Sequence, residues 1–173
     1  TLGEVCEINP KKSEIAHLSN ETLVSFIPMS NISEQGEIDL SQNRTIKEVW
    51  NGFTYFKEND VAFAKITPCM ENGKGGIMRD LSNGIGFGTT EFHVMRPIKN
   101  VSTPEWIYYL TASKHFRSLA ESNMTGSAGQ KRVPKAFLEN FKVDCPSFDE
   151  QEKFALRIKL IQEQKAKSKI ALE

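Results

Sequence analysis

Two stretches of this sequence gather side chains that donate hydrogen bonds or carry positive charge. The first is Thr125-Gly-Ser-Ala-Gly-Gln-Lys-Arg-Val-Pro-Lys135, which lies in a span from Ser122 to Leu138 with three cations and no acid. Gly126 and Gly129 allow close backbone approach. Ser127, Gln130, Lys131 and Arg132 supply donors, and the helix expected next offers N-terminal amides, which also favour anions. These residues suit an anionic partner, but a mobile surface loop has the same composition, and the residues alone leave the two readings even. The second stretch is Phe63–Gly76, where a strand is expected to deliver Lys65 and Thr67 to a proline-turned loop carrying Asn72 and Lys74. Lysine is a point charge for phosphate, and asparagine can pair bidentately with adenine. On composition alone, a solvated β-turn with ordinary surface lysines fits this stretch better.

Covalent catalysis finds no support. The sequence has no G-x-S-x-G, no H-E-x-x-H and no H-x-E with a following C-x-x-C. It also lacks the Asp/Asn-Pro-Pro-aromatic run with which amino-methyltransferases hold a flipped base. Gly73-Lys-Gly-Gly76 does not have the order of a Walker A loop. The histidines His17, His93 and His115 are isolated, and nothing local activates Cys69. The cysteines Cys6, Cys69 and Cys145 are odd in number and form no C-x-x-C pair. No metal site or disulfide framework is expected, therefore, and a reducing cytoplasm fits best.

The elements that would position these groups fall in three zones. Over about 1–100, short strand-like runs alternate with Gly, Asn, Asp and Pro clusters. Thr22–Met29 and Asp60–Ile66 are predicted strands, the latter with Val61, Phe63 and Lys65 on one face and Ala62, Ala64 and Ile66 on the other. Gly86–Met95 reads as one further strand. Gly84-Ile-Gly-Phe-Gly88 ahead of it is read as a bulge or tight bend, because no helix follows for a phosphate loop. Over about 102–141, Ser102-Thr-Pro-Glu105 starts a helix. Trp106, Tyr109, Leu110, Ser113, Phe116 and Ala120 then form one core stripe at helical spacing. A short helix over 133–140 and a strand over 141–146 are expected to follow. Residues 147–173 read as one helix, with a capping box from Ser147 and Glu150. Positions 154, 158, 161, 165, 168 and 172 read Phe, Ile, Ile, Lys, Ser and Leu, a coiled-coil seam that weakens along its length.

The chain has 173 residues, enough to bury a core, and no apolar run long enough to span a membrane. It begins at Thr1 without a methionine, and the last helix meets no stop signal, so a piece of a longer protein is expected. Its zero net charge hides an asymmetry: −5 over residues 1–60, +4 over 61–148 and +1 over 149–173. A local excess matters more to an anionic partner than the total does, though this excess is modest.

Four segments, in order, carry a resemblance. They are Ala64-Lys-Ile-Thr-Pro-Cys-Met-Glu-Asn-Gly-Lys74, Gly86-Phe-Gly-Thr-Thr-Glu-Phe-His-Val-Met-Arg-Pro97, Gly126-Ser-Ala-Gly-Gln-Lys-Arg-Val-Pro134, and Glu150-Gln-Glu ahead of a long helix. With the opening Leu2-Gly-Glu-Val-Cys-Glu-Ile8, the whole chain resembles one target recognition domain of a type I restriction–modification specificity subunit. The resemblance implies an α+β domain over 1–146, built on a twisted, mostly antiparallel sheet with flanking helices. It implies a spacer or dimerisation coiled-coil helix over 147–173. It also implies a non-catalytic role without cofactor: reading one half of a split double-stranded DNA target and docking a methyltransferase subunit, with a restriction/translocase subunit joining the complex. Lys65, Lys74, Arg79, Lys131, Arg132 and Lys135 are then the expected phosphate contacts. Thr67, Asn72, Thr89, Thr90, Ser127 and Gln130 are the expected base readers. Phe154, Ile158, Ile161 and Leu172 would form a helix–helix interface, open to a homodimer. Two alternatives stay open: an interaction scaffold that no longer reads DNA, and the recognition domain of a fused DNA methyltransferase.

Overall fold

The β-branched and aromatic runs of the first hundred residues form eight short strands in two separate sheets. The structure, a computed structural model, describes residues 1–170, except for the side chains of 169 and 170. In chain order the elements are α1 (Leu2–Val5), β1 (Cys6–Ile8), β2 (Leu23–Ile27), β3 (Asn43–Thr45), α2 (Ile46–Val49), β4 (Thr54–Lys57), β5 (Val61–Ala64), β6 (Gly75–Ile77), β7 (Ile85–Gly88), β8 (Phe92–Pro97), α3 (Pro104–Ala112), α4 (Lys114–Ser122), α5 (Lys135–Asn140) and α6 (Phe148–Ile170). One sheet has the order β1-β8-β5-β6 and is antiparallel throughout. The other has the order β3-β2-β7-β4, and there β2 and β7 run parallel. The α+β class stands, but two sheets replace the single expected one. The run expected as one strand over 86–95 crosses between them. β7 ends at Gly88 in one sheet, Thr89–Glu91 turn the corner, and β8 starts at Phe92 in the other.

Alternation along the strands fills three apolar layers. Val61 and Phe63 of β5 face the helices, among Leu2, Met95, Ile107, Phe116 and Leu138. Ala62 and Ala64 face the second sheet, with Ile27, Phe56, Phe92 and Val94. Val24, Phe26, Tyr55, Ile85 and Phe87 cover the far side of that sheet, closed by Ile15, Ile46 and Val49. β5 is therefore buried on both faces, as its unbroken apolar run requires.

The glycines of β7 are no bulge, because the strand pairs in regular register on both edges. They are there for contact. A Cβ on Gly86 would lie 2.2 Å from the Phe56 ring, and one on Gly88 would lie 2.5 Å from the Ile27 carbonyl oxygen. Gly76 of β6 is under similar pressure from Gly36 and Ile38.

The expected helical stripe over 102–120 is divided between two helices. The Thr103 hydroxyl caps α3 by accepting from the Trp106 N–H, and Pro104 occupies its first turn. At Ser113 the backbone turns extended (ψ 144°), and its hydroxyl accepts the Phe116 N–H to start α4. Ile107, Phe116 and Ala120 enter the core; Trp106 and Leu110 pack against its edge and, with Tyr109, also line the contact with α6. Residues 141–146 form no strand and run as irregular chain, although the Phe141 carbonyl accepts from the Leu2 N–H.

The capping box of α6 forms as expected. The Glu150 carboxylate accepts from both the Ser147 N–H (2.9 Å) and its hydroxyl (2.6 Å). Gln151, 1% exposed, fixes the base of this helix: its Oε1 accepts from the Thr103 N–H, and its Nε2 donates to the carbonyls of Val101 and Pro146. No helix among the described residues is long and apolar enough to cross a membrane.

Candidate nucleic-acid interface

Strand direction brings the polar segments to one end of the molecule. β5 is antiparallel to β6 and β8, so Lys65 leaves β5 where Lys74 leads into β6 and Glu91 leads into β8. The same end receives the tip of β7 at Thr89 and Thr90, and the chain leaving β2, whose Met29 carbonyl accepts from the Lys74 ammonium (3.1 Å). Residues 67–74 close into a compact turn: the Ile66 carbonyl accepts from the Met70 N–H, that of Pro68 from Asn72, and that of Cys69 from Lys74.

The 125–132 segment is a hairpin that extends β5. Thr125 and Arg132 exchange backbone hydrogen bonds of 2.9 and 2.8 Å. Arg132 also bridges Ile66: the Thr67 N–H donates to the Lys131 carbonyl, and the Val133 N–H to the Lys65 carbonyl. A turn at the tip, closed by the Gln130 N–H on the Ser127 carbonyl, needs Gly129 at φ +77°. Below it, the Val133 carbonyl accepts from His93 Nε2 (2.8 Å), and His93 Nδ1 accepts from the Asn9 amide (3.1 Å). The buried imidazole is neutral, with its pKa lowered mainly by burial.

Side chains at this end fall into two groups. Arg132 is held by Glu91, its Nε and Nη2 donating to the two carboxylate oxygens at 2.9 and 2.7 Å. That fork lowers the Glu91 pKa and raises that of Arg132. Lys65 is half-buried beside the pair; burial lowers its pKa, Glu91 opposes that shift, and Arg132 adds to it. The Thr67 hydroxyl donates to Glu71, and the Thr89 hydroxyl accepts from the Glu91 N–H. Asn72, Thr90, Ser127, Gln130 and Lys131, in contrast, are exposed, and their side chains make no hydrogen bond or ion pair among the described residues. This arrangement leaves a lysine, two amides and two hydroxyls available to phosphate oxygens and base edges, on a frame built by Arg132, Glu91 and Thr67.

Two expected contacts lie elsewhere. Arg79 follows β6 at the opposite end of the sheet and pairs with Glu105 of α3. Lys135 sits on α5 and pairs with Glu139 at 2.7 Å, on a flank shared with Glu7, Asn9 and Lys11. Arg117, not among the expected site residues, places its guanidinium beneath the 67–74 turn. Its one sequence signal is a charge between the core residues Phe116 and Ala120. No group of three His, Cys, Asp or Glu side chains placed to hold a metal occurs among the described residues.

Along α6, Phe154 stacks edge-on against Tyr109 (5.5 Å between centroids), and Ile158 lies towards Tyr108 and Arg79. Two residues of the expected helix–helix seam thus pack against their own chain. Ile161 is 47% exposed, and Leu172 lies outside the described residues. Leu156 and Leu160, which that seam omitted, are the more exposed apolar residues, on the face turned away from α3.

The sequence matches the type I restriction modification DNA specificity domain family over residues 1–171. It is 46% identical over 154 residues to the type I restriction enzyme EcoEI specificity subunit of Escherichia coli, covering 87% of this chain and 25% of that protein. It is 45% identical over 160 residues to the EcoAI specificity subunit of the same organism, covering 91% and 26%. The chain thus spans about a quarter of the length of these curated relatives. The HsdS subunit from Thermoanaerobacter tengcongensis shares the fold at a TM-score of 0.70 with 20% identity, over 96% of this chain and 42% of that one. So does a chain from a structure on complex assembly and conformational transition of the type I R-M system, with TM-score 0.70 and 21% identity over 97% and 42%. The family match over nearly the whole length agrees with the motifs at the strand ends, and the chain belongs to the type I restriction–modification DNA specificity domain family.

Proposed function

We propose that this domain reads one half of a bipartite duplex DNA target through the strand-end surface, as the non-catalytic recognition module of a type I restriction–modification complex in the cytoplasm. The observation that carries the reading is the meeting of Asn72, Thr90, Ser127, Gln130 and Lys131 at one end, all exposed. Lys131 supplies the phosphate contact, with Lys65 and Lys74 adding to the local field. Asn72, Thr90, Ser127 and Gln130 are the base readers, and Thr67, Thr89 and Arg132 shape the surface that presents them. Arg79 and Lys135 are left out of this set, because Arg79 pairs with Glu105 at the far end and Lys135 with Glu139 on the α5 flank.

α6 serves as the spacer and docks the methyltransferase subunit, and a restriction/translocase subunit joins that complex. At 1.5 Å per residue its 23 residues span about 35 Å, roughly one turn of DNA. Leu156, Leu160 and Ile161 give it an apolar face for another helix, whether of a second recognition module or of a second copy.

The test is enrichment of random duplex DNA by the protein, alone and assembled with the methyltransferase subunit. A short enriched motif, about three to five base pairs for this half, is the expected result. Binding without any motif would overturn direct readout and leave the scaffold reading.

A further inference from the structure

We propose that Arg117 is a positioning residue for base reading, fixing the 67–74 turn in the shape that presents Asn72 to DNA. The inference rests on the reading given under Proposed function.

Arg117 comes from α4 and is 8% exposed. Its Nη1 donates to the Met70 carbonyl, and its Nη2 to the Gly73 carbonyl at 3.0 Å. Its guanidinium lies over the Phe63 ring at 5.2 Å, and its Nε is buried without a partner among the described residues. It makes no ion pair with a carboxylate among them either. A buried cation without a counter-ion is destabilising, and an apolar side chain of similar volume would serve packing better. The guanidinium does what an apolar side chain cannot. It ties two carbonyls of one turn with a planar fork, and these carbonyls flank Asn72 and precede Lys74 in sequence.

The turn relies on that support. Gly73 holds φ +91° at its exit, with the Glu34 carbonyl 3.2 Å from where a Cβ would sit. Inside the turn, Glu71 takes the Thr67 hydroxyl on one oxygen, while its other oxygen is buried without a partner among the described residues. The break at Ser113 starts the helix that carries Phe116 into the core and Arg117 under the turn. Arg117, buried beneath the turn, touches no DNA and acts through the turn it holds.

The experiment compares Arg117→Met, which keeps the stem and loses the donors, with Arg117→Lys, which keeps the charge and loses the fork. Both are made in the protein assembled with the methyltransferase subunit. Amide hydrogen exchange reads the turn without DNA. About ten-fold or faster exchange over 70–75 is expected in both variants, with the 125–133 hairpin changed by less than about two-fold. Enrichment of random duplexes reads the function. Base positions whose preference depends on Asn72, identified with Asn72→Ala, should drop from roughly 5- to 150-fold discrimination to below about three-fold. Positions that depend on Gln130 should keep theirs.

Uniform weakening on all sequences with preferences intact would overturn the proposal and leave a packing role. If Arg117→Met does not fold, Arg117→Lys decides: wild-type exchange and wild-type preferences in that variant overturn it. If the parent protein enriches no motif, the DNA reading fails by itself. The exchange measurement then decides whether Arg117 holds the turn, and unchanged exchange overturns that as well.

Discussion

The two ends of β5 carry similar residue types and use them in opposite ways. At its start, Asp60 is 1% exposed and gripped by Arg96 through two 2.8 Å hydrogen bonds. Arg96 and Lys57 both reach Glu14, and Glu58 accepts the N–H groups of Asp80 and Leu81. Burial alone would raise the Glu14 pKa, but hydrogen bonds from Lys57 and Arg96 bring it down to about 2. Every cation named there has an acid. At the other end, the segments 65–74, 89–91 and 125–132 carry Lys65, Lys74, Lys131 and Arg132 against Glu71 and Glu91. Among the described residues, only Arg132 of these cations is paired with an acid, and Lys131 is exposed. A balanced, half-buried network holds strands together; an unbalanced, exposed one is left for a charged partner.

Breaking the closed end should have the largest effect. Asp60→Ala leaves Arg96 without its main acceptor, and a loss of about 3–5 kcal/mol is expected in chemical denaturation. A loss below about 1 kcal/mol would show that the network is not structural.

Next come the charges at the open end, read by the salt dependence of duplex DNA binding. Lys131→Ala should weaken binding to all sequences and lower the slope by about one unit, and Arg79→Ala should leave the slope unchanged. Glu91→Gln frees Arg132 and removes an acid, so non-specific affinity should rise and the slope steepen by about one unit. Equal slopes for Lys131→Ala and Arg79→Ala would erase the difference between the ends.

A smaller effect is expected from pH. His93 has a lowered pKa in the folded protein, so the unfolded chain takes up the proton first. Its contribution to stability is complete above the unfolded value, about 6.5, and declines as pH falls through the folded one. His93→Gln should flatten the denaturation midpoint between about pH 7 and 5. An identical pH profile in the variant would remove His93 as the cause.

The smallest expected effect is self-association through α6. With Phe154 and Ile158 turned to their own chain, Leu156, Leu160 and Ile161 remain for a partner helix. Sedimentation should show at most weak dimers of this domain, reduced further by Leu156→Glu with Leu160→Glu.

What was legible in the sequence was local. The alternation of β5, the Thr103–Pro104 helix start and the Ser147–Glu150 box all depend on neighbours within a few residues, and all three formed. The crossing between sheets at Thr89–Glu91 was not legible, because an apolar run reads the same within one sheet or across two. The parallel pairing of β2 with β7 joins segments about sixty residues apart and leaves no local pattern. Charge partners were hidden for the same reason: Arg132 finds Glu91 and Arg79 finds Glu105 only through the fold. The two donor-rich segments of the candidate site stand out by composition, but which donors stand free and which build the frame needed the pairings.

The proposed DNA reading puts the duplex at the open end of β5 and leaves the closed end untouched. Hydrogen exchange of the assembled protein, with and without duplex DNA carrying its enriched motif, tests this most directly. Protection over 65–74 and 125–132, with 57–60 and 79–81 unchanged, is the predicted result. Protection confined to 57–60 and 79–81 would contradict it.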